Sequence, residues 1–496
     1  MKSKKTKTTF LISIIIAILA VNFGFVFFTL NSNSHAEQIE LINNLNTSTE
    51  YNVTVVIDDT NPANNWETKK AEGLCTGSGT VAEPYIISDH VFNSYLNIIH
   101  SRKQFRVINC EFTDTTYGMW ILNVSNGLIE DNHVSNALFG FDIMNCSNIE
   151  FRNNNCSLLA NTGILAQTSY NLLFYSNFVN NNLANGITLN SLENCIFEGN
   201  MVNDNGNYGF SISTSNYLEI TNNEVKGNHE GIYINNCNNN TVEENTVLSS
   251  ELSGIFLGSS KDTILYKNFV AHSGTNGIDL NNCVNITIQD NEAFNNTENG
   301  LLMSSSNDNR LESNILHQNG ECGIQLFSSS QRNILDGNLA SYNNQSGIFL
   351  DLNSHNNLIY DNTAANNQHH GYYISNSNNN FITGNRANDN NLNGIQLLFS
   401  DRNRIASNTV NNNVNGTNLI SSNNNIIFGN NLANNIYCYN ETNSFNNIYE
   451  DNFCELPSNS VIPIDPFLLG LIIGLTIGLG TLAAVVALSF VRGRKK

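Results

Sequence analysis

The chain has 496 residues, a formal net charge of −20 and only 13% charged residues. This length is too great for one ordinary globular core but suits an elongated repeat, and 40% apolar residues are too many for a disordered acidic tail. The acidic balance argues against a nucleic-acid partner, because backbone phosphates require Lys and Arg. Asparagine is strongly over-represented, with 97 copies.

Residues 1–36 predict an export signal or an N-terminal anchor. Lysines between positions 2 and 7 precede an apolar run from Phe10 to Leu30, and Ser34-His35-Ala36 offers the small residues of a cleavage site. The apolar run is long for a signal peptide, so a cleaved signal and an uncleaved anchor both remain open. Residues 37–117 are assigned to an N-terminal cap and the first coils, because an open coil end would expose core and strand edges.

Residues 118–452 form the repeat that decides the fold class. Two residue types recur in phase at intervals of 22 to 24 residues: a Gly that precedes an apolar-x-apolar triplet, and an Asn. The glycines are Gly118, Gly140, Gly163, Gly186, Gly209, Gly231, Gly254, Gly277, Gly300, Gly323, Gly347, Gly371, Gly394 and Gly416. The asparagines are Asn132, Asn154, Asn177, Asn200, Asn223, Asn245, Asn268, Asn291, Asn314, Asn338, Asn362, Asn385, Asn408, Asn430 and Asn452.

The pattern within each unit is that of short strands. Apolar residues at Gly+1 and Gly+3 have a period of two, and a further apolar column (Ile129, Phe151, Phe174, Phe197, Ile220, Val242) stands three residues before the Asn. The sequence therefore predicts an all-β, single-stranded, right-handed parallel β-helix, a solenoid of about fourteen coils, with its hand taken from the parallel-crossover rule. Leucine-rich repeats share the period but would need a helical segment, which the Asn clusters replace.

Gly and Asn are predicted to mark the coil corners, since Asn tolerates left-handed φ better than other non-Gly residues. Stacked Asn amides can satisfy one another along the axis. A second such column is Asn309, Asn333, Asn357, Asn380, Asn403, Asn425 and Asn447. These asparagines are interpreted as structural ladders, not as ligand sites.

The unit Gly-Ile-x-Leu-x-x-Ser-x-x-Asn-x-Ile-x-x-Asn resembles the β-helix repeats of the NosD-like and carbohydrate-binding/sugar-hydrolysis families. The resemblance covers roughly Gly118 to Asn452. It indicates the fold and not the function, because these repeats serve many roles in different proteins. Upstream, Gly77-Ser-Gly79-Thr80 with Pro84-Tyr85-Ile86-Ile87 looks like the opening segment common before such helices. The NosD resemblance also implies a copper-handling accessory role as an alternative.

Ten cysteines in an exported chain raise the question of disulfides. Cys146, Cys237 and Cys283 share the Gly+6 column with small serines such as Ser329, so they are expected to be buried and free. Cys75/Cys110 and Cys438/Cys454 are the predicted bridges, the second closing the C-terminal end of the solenoid.

Outward-facing aromatic residues are the best candidates for a ligand site. Gly+2 carries Trp120, Tyr233, Phe256, Phe349 and Tyr373, with the nearby carboxylates Asp142, Asp279 and Asp351. Exposed rings beside carboxylates suit sugar faces and hydroxyls, although stacking between coils would also stabilise a sheet without a ligand.

Catalytic and metal sites are not predicted. No convincing pair of carboxylates faces one glycosidic bond, and His369-His370 is the best local metal candidate but is interpreted as a solvated corner. No cofactor is therefore expected. A polysaccharide-active lyase, hydrolase or epimerase remains the first alternative, and it would require three or more carboxylates in one outward patch.

The C-terminus predicts a membrane anchor. Residues 453–466 read as a linker, 467–491 as a transmembrane α-helix without a charge, and 492–496 as a basic cytoplasmic tail. The overall prediction is a single-pass membrane protein whose β-helix lies outside the cytoplasm. It would be non-catalytic and bind glycan or an envelope polymer, or serve as a structural or adhesive rod.

Overall fold

The computed structural model describes residues 48–457. The predicted signal or anchor (1–36), the transmembrane segment (467–491), the basic tail (492–496) and most of the predicted linker lie outside the described residues. Between residues 48 and 457, no helix has the length and apolar character that crossing a membrane requires.

The chain divides into two units: unit 1 ends at Phe269 and unit 2 begins at Val270. Each unit is an all-β parallel solenoid, and the two comprise about 16 turns. This number exceeds the predicted fourteen because Val55–Asp58 and Leu96–Ile99 already pair in parallel ahead of Gly118. A turn passes through three sheets in order, here called sheet 1, sheet 2 and sheet 3.

Sheet 1 contains the strands that follow the recurring glycines. In unit 1 they are Val55–Asp58, Leu96–Ile99, Tyr117–Leu122, Phe139–Met144, Ile164–Gln167, Ile187–Asn190, Tyr208–Ser213, Glu230–Asn235 and Ile255–Gly258. In unit 2 they are Ile278–Asn281, Leu301–Ser304, Ile324–Phe327, Ile348–Leu350, Tyr372–Ser375, Asn393–Leu398, Asn415–Ile420 and Tyr437–Thr442. Burial alternates along most of them, as in Ile187–Asn190, so these strands have one buried face, whereas Asn393–Leu398 and Asn415–Ile420 are buried at every residue but the last.

Sheet 2 contains the strands that precede the recurring asparagines. In unit 1 they are Tyr85–Ser88, Phe105–Ile108, Ser125–Glu130, Ser147–Arg152, Tyr170–Tyr175, Ile196–Glu198, Glu219–Thr221, Thr241–Glu243 and Ile264–Tyr266. In unit 2 they are Thr287–Gln289, Arg310–Glu312, Ile334–Asp336, Leu358–Tyr360, Phe381–Thr383, Arg404–Ala406, Ile426–Phe428 and Ile448–Glu450. The predicted apolar column is confirmed: Phe151, Phe174 and Phe197 are fully buried and stack at 4.6 and 4.7 Å between ring centroids.

Sheet 3 has the shortest strands of the three sheets. Its strands are Thr49–Tyr51, His90–Phe92, Glu111–Phe112, His133–Val134, Asn155–Cys156, Met201–Asn203, Glu224–Lys226 and Thr246–Leu248 in unit 1, Phe269–Ala271 at the unit boundary, and Glu292–Phe294, Ile315–His317 and Leu339–Ser341 in unit 2. From Thr363 onward sheet 3 is reduced to isolated parallel bridges.

Helix α1, Trp66–Ala71, is the one helix within the described residues. Asn65 caps it by accepting a hydrogen bond from the Thr68 N–H at 2.9 Å. Trp66 is buried, stacks on Tyr85 at 4.9 Å and donates to the Ser101 hydroxyl at 2.9 Å. The helix therefore anchors the segment before the repeat to the core.

The predicted asparagine ladders are confirmed. In unit 1, the Asn177 amide nitrogen donates to Asn200 Oδ1 at 3.0 Å and to the Phe151 carbonyl at 3.0 Å. The same oxygen of Asn200 also accepts the Asn177 backbone N–H. Both atoms of the buried Asn177 amide are thus satisfied by neighbouring coils, since its own Oδ1 accepts from Asn154. In unit 2, Asn309 donates to Asn333 at 3.1 Å in the second column.

A third ladder was not predicted from the sequence. Asn182 donates to Asn205, and Asn205 to Asn228, at the turn from sheet 3 to sheet 1 of unit 1. In unit 2 the corresponding ladder runs Asn296, Asn319, Asn343, Asn367, Asn390, Asn413 and Asn435.

Two details of the corner interpretation are wrong. The left-handed residue is not the ladder Asn but the residue before it, for example Glu244 (φ 53°) before Asn245. The recurring glycines in sheet 1 are required for space instead: a Cβ on Gly209 would lie 2.6 Å from the Gly231 carbonyl oxygen of the next coil. Glycine lets successive coils approach closely at the start of sheet 1.

The cysteines follow the predictions in part. Cys438 and Cys454 form a disulfide, whereas Cys75 and Cys110 are separate buried thiols, so that predicted bridge is wrong. The thiol of Cys75 instead faces the Trp66 carbonyl. Cys146, Cys237 and Cys283 are buried thiols outside any disulfide, as expected.

One member of the predicted Gly+6 serine column is also wrong. Ser330, not Ser329, occupies the column, because the Ser330 hydroxyl accepts the Ser306 N–H at 3.1 Å. Ser329 has a positive φ of 69° and forms the turn just before it.

Candidate functional site

The outer row of sheet 1 positions all but one of the predicted ligand-binding residues. In unit 1, Trp120 pairs in register with Asp142, and Tyr233 pairs with Phe256. The positions between Asp142 and Tyr233 in the row are Leu165, Thr188 and Ser211. Unit 1 therefore presents two separate patches.

The first patch of unit 1 joins an aromatic group to a half-buried carboxylate. Trp120 packs near Tyr117, with ring centroids 6.3 Å apart, and Tyr117 stacks on Phe139 at 5.4 Å. Burial raises the pKa of Asp142, and its Oδ1 has no hydrogen-bond partner within the described residues. A ligand hydroxyl could supply that missing donor.

The second patch of unit 1 is aromatic. Tyr233 and Phe256 stack at 5.1 Å with an angle of 4° between their planes, and Tyr208 packs against Tyr233 at 4.8 Å. Burial raises the pKa of Tyr233, with a further contribution from Tyr208. These half-buried rings form a continuous aromatic surface across three coils.

Unit 2 has a comparable aromatic patch. Phe349 and Tyr373 stack at 4.6 Å with 4° between planes, and the His370 ring lies 5.1 Å from Tyr373. Burial, and after it His369, lowers the pKa of His370 to about 4, so this ring is neutral at neutral pH. Burial raises the pKa of Tyr373, and the charge of Asp351, which lies outside the Gly+2 row, adds to this rise.

Side-chain amides continue the unit 2 row beyond Tyr373. The outer positions are Gln396, Asn418 and Asn440, in register. Asn418 donates to Gln396 Oε1 at 2.7 Å, and Asn440 donates to Asn418 Oδ1 at 2.8 Å. The aromatic patch therefore borders uncharged amides that are hydrogen-bonded to one another, of which Gln396 and Asn418 are buried.

A carboxylate cluster that the sequence reasoning missed begins the unit 2 row. Asp279 interacts electrostatically with Glu298, and Glu298 with Glu321. Burial raises the pKa of Asp279 to about 6, opposed by a 3.3 Å hydrogen bond from the Asn276 amide. Glu298 and Glu321 both occupy Gly−2, so aligning the column before the glycines would have revealed them.

The histidines do not converge. Across residues 48–457, no three His, Cys, Asp or Glu side chains are grouped closely enough to hold a metal ion. His370 Nδ1 accepts the Asn393 N–H at 3.3 Å, while His369 occupies the neighbouring row.

The family model that matches the chain is described as "Right handed beta helix region" and matches residues 94–247, 214–340 and 326–433. Together these segments span more than half of the 496 residues. The chain belongs to the right-handed β-helix family. This membership agrees with the parallel coils and the predicted hand, and it leaves the chemistry to be argued from the individual site.

Several solved structures share the β-helix fold. The A-module of the Azotobacter vinelandii mannuronan C-5 epimerase AlgE6 is 13% identical, with a TM-score of 0.36, and covers 73% of this chain and 91% of that chain. The periplasmic alginate epimerase AlgG is 13% identical at 0.33, covering 82% and 85%. The Dettilon tailspike protein gp208 is 14% identical at 0.33, covering 56% and 60%. These likenesses concern the fold alone. No curated protein matches the sequence of this β-helix chain.

Proposed function

We propose that this β-helix is a glycan-binding ectodomain that holds polysaccharide against the outer face of sheet 1. The observation that carries the proposal is the Phe349–Tyr373 stack, which has the half-buried Gln325 amide beside Phe349 in the same row. Aromatic carbon surface contacts the apolar C–H faces of sugars, and amides exchange hydrogen bonds with hydroxyls. The Tyr233–Phe256 stack in unit 1 supplies a second aromatic contact of the same kind.

The proposed location is outside the cytoplasm, with residues 467–491 as a membrane anchor. Two features support it: the uncharged segment followed by a basic tail, and the Cys438–Cys454 disulfide, which is typical of oxidising compartments. Protease protection of the C-terminal tail in intact cells, with cleavage of the β-helix, would be the expected result. Protection of both would contradict the orientation.

The binding proposal is tested with the double variant Tyr233→Ala/Phe349→Ala on a glycan array. The expected result is a loss of about tenfold or more in apparent affinity for the glycans that the unaltered chain binds. Each substitution deletes a ring and with it apolar contact worth roughly 1–2 kcal/mol. Tyr342→Ala is a matched control, since Tyr342 is 62% exposed and follows the sheet 3 strand Leu339–Ser341. Undiminished binding by a folded double variant would remove the site.

The carboxylate cluster of unit 2 favours a second candidate function, a polysaccharide-active enzyme. Asp279 is an acid with a pKa of about 6, suited to protonating a glycosidic oxygen, and Glu298 is a neighbouring carboxylate that could activate water. In hydrolysis the C–O bond breaks as water adds its oxygen to the anomeric carbon. Release of reducing ends from a polysaccharide panel, abolished by Asp279→Asn, is the expected observation, and its absence from every panel member would eliminate this candidate.

A further inference from the structure

A groove of about 700 Å³ lies in unit 1 on the outer face of sheet 2, away from the aromatic patches of sheet 1. Its floor is the central outward position of successive coils, occupied in order by Arg106, Leu128, Glu150, Leu173 and Ile196. At ~4.8 Å per coil this floor extends about 19 Å along the coil axis. The volume falls in the range of small-ligand and cofactor sites.

Asparagine amides line one side of the groove, one from each coil of the floor after that of Arg106. These are Asn126, Asn148, Asn171 and Asn194, all with φ between 50° and 66°. Asn171 donates to Asn148 Oδ1 at 3.3 Å. The Asn148 nitrogen, the Asn171 oxygen and both amide atoms of Asn194 have no side-chain partner among residues 48–457. These are exposed donors and acceptors repeated with the coil spacing.

The groove carries no net charge. Arg106 is paired with Glu130 at 3.1 Å, and Glu150 is paired with Arg152. A polyanion would find no unpaired cation here, and a basic peptide would find no unpaired carboxylate on the groove floor. The electrostatics therefore favour a neutral ligand.

One end of the groove is closed. Val81 and Pro84, from the turn in which Ser78 N–H donates to the Glu83 carbonyl, stand with Gln104 beside the first coil of the floor. A ligand lying along the axis would meet this wall with its terminus. Glycan ends, as opposed to mid-chain segments, fit this geometry.

We propose that this groove is a second binding site that takes the end of a neutral, linear oligosaccharide, about one pyranose per coil. A pyranose is about as long as the ~4.8 Å coil spacing, so each ring can lie over one apolar or paired floor residue while its hydroxyls meet one amide. Leu128, Leu173 and Ile196 supply the apolar contact. The site has the ligand class of the proposed function but shares none of its residues, so either can fail alone.

The test uses the full chain and calorimetric titration with a panel of neutral linear hexasaccharides: β-1,4-glucan, mannan, xylan and N-acetylglucosamine oligomers. The probing variant is Asn148→Gly/Asn171→Gly, which removes two amides at positions where positive φ suits glycine. The matched control is Asn222→Gly/Asn236→Gly, two exposed asparagines with φ of 54° and 55° outside the groove. We expect about tenfold weaker binding for the first pair and no change for the second.

Leu173→Asp gives an independent test, because it places a charge on the apolar floor without altering the amides. It should weaken binding by at least the same factor of about ten as Asn148→Gly/Asn171→Gly, and Asn222→Gly/Asn236→Gly again serves as the control that leaves binding unchanged. The proposal is overturned if no neutral oligomer binds, if both glycine pairs weaken binding equally, or if only a galacturonate oligomer or an extended peptide binds at the groove.

Discussion

A ladder asparagine stabilises its coil through several hydrogen bonds at once. Asn200 Oδ1 accepts from both the backbone and the side chain of Asn177, and its amide nitrogen donates to the Phe174 carbonyl and to Asn223. Asn200 is completely buried. A buried polar group without a partner costs ~1–3 kcal/mol. Removing one member of the ladder therefore measures how much the ladder contributes to stability.

Replacing Asn200 by Ala should therefore lower the unfolding free energy by roughly 3 kcal/mol or more, because it leaves Asn177 donors and the Phe174 carbonyl unsatisfied. Chemical denaturation followed by circular dichroism measures this. Asn207→Ala is the matched control: Asn207 is an exposed asparagine of the same coil, and a change within about 0.5 kcal/mol is expected. Equal effects of the two substitutions would contradict the ladder's energetic role.

Asp279 contributes to folding stability in a way that depends on pH, and this dependence has the opposite sign to that of most carboxylates. Its folded pKa of about 6 lies above the ordinary value of 3.8, so the folded chain binds this proton more tightly than the unfolded chain does. Stability attributable to this group is therefore full below about pH 4 and is lost as pH rises to about 6. Partial solvent contact limits the loss to roughly 1–2 kcal/mol.

Asp279→Asn should consequently raise the melting temperature at pH 7.5 and leave it nearly unchanged at pH 4. The Asn276 hydrogen bond is kept, because an Asn oxygen can accept it. Differential scanning calorimetry of both proteins at the two pH values measures the difference. A melting-temperature difference independent of pH would show that burial does not perturb this carboxyl.

At the scale of strands and turns, glycine has two unrelated uses in this fold. Gly209 is the second residue of the sheet 1 strand Tyr208–Ser213 and has no room for a Cβ, which would lie 2.6 Å from both the Gly231 oxygen and a Val225 methyl. Gly199, by contrast, precedes a ladder Asn with φ of 65°, and a Cβ there would meet only the Ser176 hydroxyl at 3.6 Å.

These two uses predict opposite tolerance to substitution. Gly209→Ala should destabilise the protein by about 2–3 kcal/mol, because the backbone oxygen of the next coil cannot move aside. Gly199→Asn should be nearly neutral, because Asn is the best non-glycine residue at positive φ. Denaturant midpoints of the two variants measure the contrast. A similar loss for both would indicate that backbone freedom, not space, selects glycine at position 209.

The repeat made the strands and two of the three asparagine ladders predictable, but not the site. Period-two apolar residues and in-phase Asn columns determine the stacking, since every coil must repeat the same environment. Which corner residue takes left-handed φ was not predictable from recurrence, because Glu244 and Lys267 occupy that position as readily as Asp131. The cluster of Asp279, Glu298 and Glu321 was missed because its members belong to two different columns that come together only across coils.

At the scale of the whole molecule, a solenoid is stabilised by contacts between neighbouring coils. Its stability is approximately the sum of coil terms and nearest-neighbour interfaces, and its ends are the weakest places. In unit 2, the last sheet 1 strand, Tyr437–Thr442, pairs only with Asn415–Ile420 among the described strands. The Cys438–Cys454 disulfide joins this strand to the segment after the final sheet 2 strand.

The disulfide is therefore expected to protect the terminal coil and not the whole solenoid. Its sequence separation is 16 residues, for which the loop-closure model gives about 3 kcal/mol. In Cys438→Ala/Cys454→Ala, hydrogen exchange of residues 437–454 should accelerate by roughly two orders of magnitude, because 1.4 kcal/mol corresponds to a factor of ten. Exchange at Ile324–Phe327, four or more coils away, should stay unchanged.

Cys322→Ala, which removes a buried free thiol of unit 2, is the matched control and should not accelerate exchange near residue 437. Uniform acceleration throughout unit 2 in the disulfide variant would show instead that the coils unfold as one cooperative block.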